Sequence, residues 1–202
     1  MRYRILSFMT IVAVGLGVAG CEKTEQTTEP TGQPAQPPDD ETPQQKEGEV
    51  MAQLQVTSPS FAHEGAIPLE FTCDGADVSP ALSWTAGPAG TASYALIMDD
   101  PDAPRGTWVH WVAWNIPQPS LVDAIPAQGA LEDGTMQGMN SGSKRGYGGP
   151  CPPSGTHRYY FKVYALDATL DLPSATNKEA LLKAMKGHIL AEGELMGTYQ
   201  RG

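Results

Sequence analysis

The run Ala92-Ser93-Tyr94-Ala95-Leu96-Ile97-Met98 leads into Asp99-Asp100-Pro101-Asp102-Ala103-Pro104 and then, after a short gap, into Trp108-Val109-His110-Trp111. Aromatic and β-branched residues bounded by Pro, Gly and Asp read as strands. The stretch therefore predicts a strand, an acidic turn stiffened by two prolines, and a second strand reaching Ile116. A third run of the same kind, Arg158 to Leu166, follows Gly155-Thr156-His157 far downstream. Three buried-looking strands separated by irregular loops predict a mainly β domain, either an antiparallel sandwich or a mixed sheet core. Trp111 and Trp114 alternate unevenly with His110 and Val112, which assigns the tryptophans to core packing.

Two segments in this frame carry the same chemistry. Each sets an imidazole, His110 or His157, beside aromatic residues at the mouth of a strand, and the first adds Asp100 and Asp102. If the fold joins them, imidazoles, a tyrosine hydroxyl and backbone amides would donate hydrogen bonds to an oxyanion, while the carboxylates would attract a cation. Such a mixed pocket suits a phosphate-like anion or a zwitterionic head group. Arg158 falls on the opposite strand face from His157 and Tyr159, so an ion pair is its expected role. Asp102, two residues before Pro104, has the placing of a turn-stabilising residue. An enzyme reading competes, with His110 or His157 as general base and Asp100 as its orienter. There is no His-Glu-x-x-His, no two histidines four apart and no Gly-x-Ser-x-Gly elbow, so neither a metal nor any other cofactor is expected.

Outside the domain the chain reads as an address and a tether. Arg2 and Arg4 precede an uncharged stretch from Ile5 to Gly20, and Val18-Ala19-Gly20-Cys21 has the small residues of a lipoprotein signal. Residues 1–20 are thus expected to be a signal peptide, with Cys21 lipidated and the protein anchored outside the cytoplasm in a bacterial cell envelope. Residues 21–50 combine the lipidated cysteine with a Thr-, Glu-, Gln- and Pro-rich tether expected to be disordered. From Glu22 to Val50 it carries eight acidic residues against Lys23 and Lys46. Residues 51–202 form the domain. Its nine basic and fifteen acidic side chains leave it at −6, the wrong sign for binding nucleic acid through phosphates.

Within the domain, Gln128 to Pro153 is long, glycine-rich and aperiodic, so it is expected to be functional or disordered. Thr176 and Glu179 have capping-box spacing, Leu181, Leu182 and Met185 give an apolar stripe, and Gly187 fits the stop. One helix is predicted there, and His188 to Tyr199 reads as a final strand. With Cys21 taken by lipid, Cys73 and Cys151 remain as a pair in an oxidising compartment. A disulfide between them is one reading and two free thiols the other.

Phe71-Thr72-Cys73-Asp74-Gly75, Ser79-Pro80-Ala81-Leu82-Ser83-Trp84, the Asp-Pro-Asp-Ala-Pro turn, Gly146-Tyr147-Gly148-Gly149-Pro150-Cys151-Pro152-Pro153, Gly155-Thr156-His157-Arg158-Tyr159 and Glu194-Leu195-Met196-Gly197-Thr198-Tyr199 occur in this order. In these motifs, from about Leu54 to Arg201, the chain resembles the phosphatidylethanolamine-binding proteins, and most closely their prokaryotic Raf-kinase-inhibitor-like branch. The resemblance implies an antiparallel β-sandwich of Greek-key type with few peripheral helices. It also implies that Asp100, His110, His157 and Tyr159 fall on pocket positions, with Trp108, Asp102 and Tyr147 at the rim or in support. Members of the family are described as lipid-head-group binders, as kinase inhibitors in eukaryotes and in some cases as serine protease inhibitors. For a domain held outside the cytoplasm without ATP, a protease fits better than a kinase. Asn140-Ser141-Gly142-Ser143 stands where relatives commonly carry a bulky aromatic residue.

Overall fold

A computed structural model describes residues 51–201 of the chain. The stretches expected to be a signal peptide, a lipidated Cys21 and a tether lie outside the described residues. Nine strands run in chain order: β1 (Ala52–Gln53), β2 (Val56–Thr57), β3 (Leu82–Trp84), β4 (Ser93–Asp100), β5 (Trp108–Ile116), β6 (Ser120–Leu121), β7 (Met136–Gln137), β8 (Thr156–Leu166) and β9 (Ile189–Gln200). One α-helix, α1 (Lys178–Met185), and one 3-10 turn (Leu69–Phe71) complete the set among the described residues. The strands form a six-stranded sheet in the order β1-β9-β8-β4-β5-β7 and a three-stranded sheet in the order β2-β3-β6. The domain is a mainly β sandwich. Its pairings are antiparallel except that β1 runs parallel to β9 at one edge.

The large sheet is buried on both faces, which explains why β4 reads as a continuous apolar run. Leu96 and Met98 point between the sheets with Trp111, Tyr159, Phe161, Val163, Leu82 and Trp84. Ala95 and Ile97 point the other way, into a second cluster with Val112, Trp114, Leu181 and Met185, where α1 covers the sheet. Each such fully buried aliphatic or aromatic side chain stabilises the fold by about 1.5–3 kcal/mol. The helix starts one residue later than the capping-box spacing predicts. Asn177, not Thr176, is the N-cap, its side chain accepting from the Ala180 N–H at 3.0 Å. Leu182 is exposed and does not join the apolar stripe.

The uneven alternation along β5 has a geometric cause. Met98 pairs with Trp111 and Asp99 with Val109, so His110 is an inserted residue, a β-bulge. The bulge puts His110 beside Trp111 on the inter-sheet side while Val109 packs on the helix side. A second irregularity lies between Leu96 and Tyr94, whose partners are Ala113 and Ile116. There Asn115 adopts φ +56° and its amide bonds both backbone groups of Leu170.

The aperiodic segment 128–153 is ordered by side chains. Buried Gln137 donates to the Pro126 and Gln128 carbonyls and accepts from Trp111 Nε1 at 2.8 Å. Asn140 Oδ1 accepts from the Gly142 and Lys144 amides, and Ser141 Oγ accepts from the Val109 N–H. The segment 140–144, where a bulky residue was missing from the expected pattern, thereby closes against the start of β5.

Candidate functional site

β4 ends at Asp100, β5 begins beside it in the opposite direction, and β8 enters next to β4 through His157. That register gathers Asp100, His110 and His157 at one end of the large sheet, where they line a common cavity of 720 Å³. Trp108 stands at its mouth, 42% exposed. Apolar walls come from Ala103, Pro104, Pro152 and Pro153, and Arg105 and Lys144 bring positive charge to the wall.

Both imidazoles are fixed by their inner nitrogens. His157 Nδ1 lies 2.7 Å from Asp100 Oδ2, and His110 Nδ1 lies 2.6 Å from the Gly148 carbonyl oxygen. A carbonyl only accepts, so the His110 hydrogen must sit on Nδ1, which makes Nε2 a lone-pair acceptor in the neutral ring. Burial pushes the His110 imidazole below its ordinary value, although the Gly148 carbonyl and Asp100 carboxylate pull the other way. The free site is thus set to hold His110 neutral. Two donating imidazoles, the sequence expectation, arise only if the rings gain protons.

Three of the expected residues do not line the cavity. Tyr159 is fully buried and packs edge-on against His110 at 5.3 Å between ring centres. Its hydroxyl has no hydrogen-bond partner, and burial raises its pKa. It is a strut under the imidazole and offers no hydroxyl to the cavity. Tyr147 donates to the Phe71 carbonyl at 2.6 Å and stacks edge-on against Trp111, so it also acts in support. Asp102 is bound in a fork by Arg158 at 2.7 and 2.9 Å, which ties the acidic turn to β8 and holds the Asp102 carboxyl down to about 2. Arg158 makes the expected ion pair.

The cavity also contains a residue the sequence did not single out. Asp77 lines it and accepts from the Gly149 N–H at 2.6 Å. The loop carrying Asp77 is fastened to the loop carrying Gly148 and Gly149 by the Tyr147–Phe71 bond, by the Cys73 N–H on the Pro150 carbonyl at 3.1 Å, and by a Cys73–Cys151 disulfide. Cys151 itself lines the cavity. Among the described residues no group of three or more His, Cys, Asp and Glu is arranged to hold a metal ion.

Comparison with known proteins bears on the sequence and the fold. A profile of the phosphatidylethanolamine-binding protein family matches residues 57–200. A UPF0098 protein of Methanothermobacter thermautotrophicus is 50% identical over 151 residues, which is 74% of this chain and 100% of the relative. The crystal structure of a phosphatidylethanolamine-binding protein homolog, CT736, from Chlamydia trachomatis superposes with a TM-score of 0.69 at 39% identity, covering 74% of this chain and 99% of that one. E. coli YbcL, described as a new member of the mammalian PEBP family, gives a TM-score of 0.67 at 30% identity, over 75% of this chain and 100% of its own. On sequence, sandwich topology and matched extent together, the chain belongs to the phosphatidylethanolamine-binding protein family.

Proposed function

We propose that this chain is a binding protein whose cavity takes a phosphate-like anion or a phospholipid head group. It is held by acyl chains on Cys21 outside the cytoplasm of a bacterial cell envelope, and it acts by sequestering that ligand or by inhibiting a protein target, a protease before a kinase. One observation carries the pocket reading: two imidazoles from separate strands are anchored through Nδ1 and share a single cavity. When either ring gains a proton, its Nε2–H becomes a charge-assisted donor to an oxyanion, the stronger class of hydrogen bond. The anchor rests on the Cys21 motif, and the protein target rests on family analogy, since fold alone does not carry function.

Calorimetry of the full-length chain in a phosphate-free detergent, with phosphate and with phosphoethanolamine, tests the pocket. His157→Ala should weaken both by about tenfold or more, the size of a lost charge-assisted hydrogen bond; unchanged affinity counts against the reading. Labelling with a radioactive fatty acid tests the anchor, because Cys21→Ser should abolish incorporation. The Asp100–His157 pair also suits a general base oriented by a carboxylate, which keeps a hydrolase of phosphorylated or esterified envelope compounds as the second reading. Turnover in an esterase and phosphatase screen that is lost in both His110→Ala and His157→Ala would favour it.

A further inference from the structure

We propose that the Cys73–Cys151 bridge is a redox latch: a dithiol reductant attacks the exposed Cys151 sulfur, and opening the bridge frees the stretch of cavity wall that joins the two imidazole anchors. The inference rests on the anion-site reading above and adds a control over it.

That wall is one short length of chain. It starts at Gly148, whose carbonyl receives His110 Nδ1 at 2.6 Å and whose N–H donates to the His110 carbonyl at 3.0 Å. It ends at His157, held on Asp100 at 2.7 Å. Between them Gly149, Cys151, Pro152 and Pro153 line the cavity. Tyr147 and Gly149 are bonded across to Phe71 and Asp77. Beyond them, in Pro150-Cys151-Pro152-Pro153, three of the four residues lack an N–H, so no ladder of backbone bonds can lace the stretch to a neighbour. It is fastened to the opposite loop by the Cys73 N–H on the Pro150 carbonyl at 3.1 Å and by the disulfide. With the covalent tie gone, one neutral hydrogen bond is a weak hold, and segments with so few ties open locally.

The two half-cystines are not equivalent. Cys73 is half-buried between fully buried Thr72 and Asp74, whose carboxylate takes the Tyr199 hydroxyl at 2.9 Å and Arg201 in a fork at 2.8 and 3.0 Å. Those bonds tie Cys73 to the end of β9 whether the bridge is closed or open. Cys151 is exposed, and its neighbours on both sides are prolines with no polar side chain to bond. Opening therefore leaves Cys73 in place and lets Cys151 leave with the wall. Exposure also decides where exchange begins, because a thiolate must reach the sulfur it attacks. The first thiolate of the reductant bonds to Cys151 Sγ and expels the Cys73 thiolate, and the second then displaces Cys151. One disulfide breaks here and one forms in the reductant, while two electrons and the two thiol protons pass to the cysteines.

The test is phosphate calorimetry on the full-length chain in a phosphate-free detergent, before and after dithiothreitol, with hydrogen exchange followed on the same samples. The bridged chain should bind phosphate about tenfold more tightly than the reduced one, the loss expected if the latched geometry falls to about one molecule in ten. Exchange should quicken at the Gly149 and Cys151 amides, stay slow at Ile97 and Val112, and return with the affinity on reoxidation. The double variant Cys73→Ser, Cys151→Ser should match the reduced chain and ignore dithiothreitol. Brief exposure to glutathione, then alkylation and peptide mapping, should place glutathione on Cys151 and the alkyl group on Cys73. A bridge that dithiothreitol opens only in urea overturns the inference, as does a reduced chain that binds as tightly as the bridged one, or glutathione found on Cys73. Core amides that quicken together with the wall overturn it too, since the bridge then supports the whole domain. If neither form binds phosphate, the anion-site reading fails, while exchange at Gly149 and Cys151 still decides the latch.

Discussion

Asp99 and Asp100 are neighbours on one strand, and they meet opposite fates. Asp99 points to the helix side of the large sheet, 1% exposed, where Lys162 Nζ approaches at 3.0 Å and Lys178 adds a second ammonium. Asp100 points to the cavity side, 3% exposed, and its partner is the His157 imidazole at 2.7 Å. The first carboxylate is thus paired with two lysines, one of them on the helix, and serves to pin α1 to the sheet. Histidine changes charge in the physiological range, so the second carboxylate has a partner whose state a ligand can alter. One face is thus a fixed joint and the other a responsive one, although the sequence offers both as a single Asp-Asp pair.

The largest way to break this contrast is to free the loops that roof the cavity. Replacing Cys73 and Cys151 together by serine removes a bridge that closes a separation of 78 residues. It should lower stability by up to about 4 kcal/mol in urea unfolding. Hydrogen exchange should quicken at the Gly148 and Gly149 amides and stay slow at Ile97 and Val112. Next in size, Asp99→Ala leaves two ammonium groups facing each other beside the sheet. The loss should be about 3 kcal/mol, toward the low end for a broken buried pair because Lys162 and Lys178 are 34% and 24% exposed. Phosphate affinity should not change. Asp100→Asn should do the reverse, keeping stability within about 1 kcal/mol of the parent while weakening phosphate about tenfold. Equal effects on stability and affinity at the two positions would erase the distinction.

Acid should sharpen it. The His110 pKa is depressed in the folded chain, so its contribution to stability is complete above its ordinary value of 6.5 and is lost as pH falls through the lowered value. Affinity for an anion of fixed charge moves the other way and should rise as pH drops through the same window, because binding favours the protonated ring. His110→Gln should flatten the calorimetric affinity profile. The smallest effect belongs to the half-exposed Asp102–Arg158 pair. Asp102→Asn should remove less than about 1 kcal/mol, visible as lost acid resistance between its ordinary 3.8 and about 2.

The long strands β4, β5 and β8, α1 and the final strand are legible in the sequence because each is long enough to show its apolar pattern. The two- and three-residue strands of the small sheet have no periodicity to read. The residue pattern alone leaves antiparallel and mixed cores open, the family resemblance selects the antiparallel sandwich, and the parallel β1–β9 edge depends on a two-residue contact that no local pattern announces. At the site, the motif residues Asp100, His110, His157 and Trp108 are found on the cavity wall. Tyr159 and Tyr147 could not be told from wall residues, because a tyrosine that braces a histidine and one that offers its hydroxyl look alike in a motif. Asp77 escaped for a different reason: its partner Gly149 lies 72 positions away, and only the folded loops show that the two meet. The bulge at His110 is partly visible in the sequence, as the uneven alternation of Trp111 and Trp114 with His110 and Val112.

The direction of the two imidazole anchors also determines which guests the cavity can admit at neutral pH. With each ring hydrogen held on Nδ1 by a peptide oxygen or a carboxylate, the Nε2 atoms of the neutral rings act as weak bases awaiting a hydrogen. Monohydrogen phosphate brings one; sulfate, equal in size and charge, brings none. The two oxyanions therefore part company here by hydrogen content alone, and a phosphodiester head group, which carries none, is held only by a ring that has itself gained a proton.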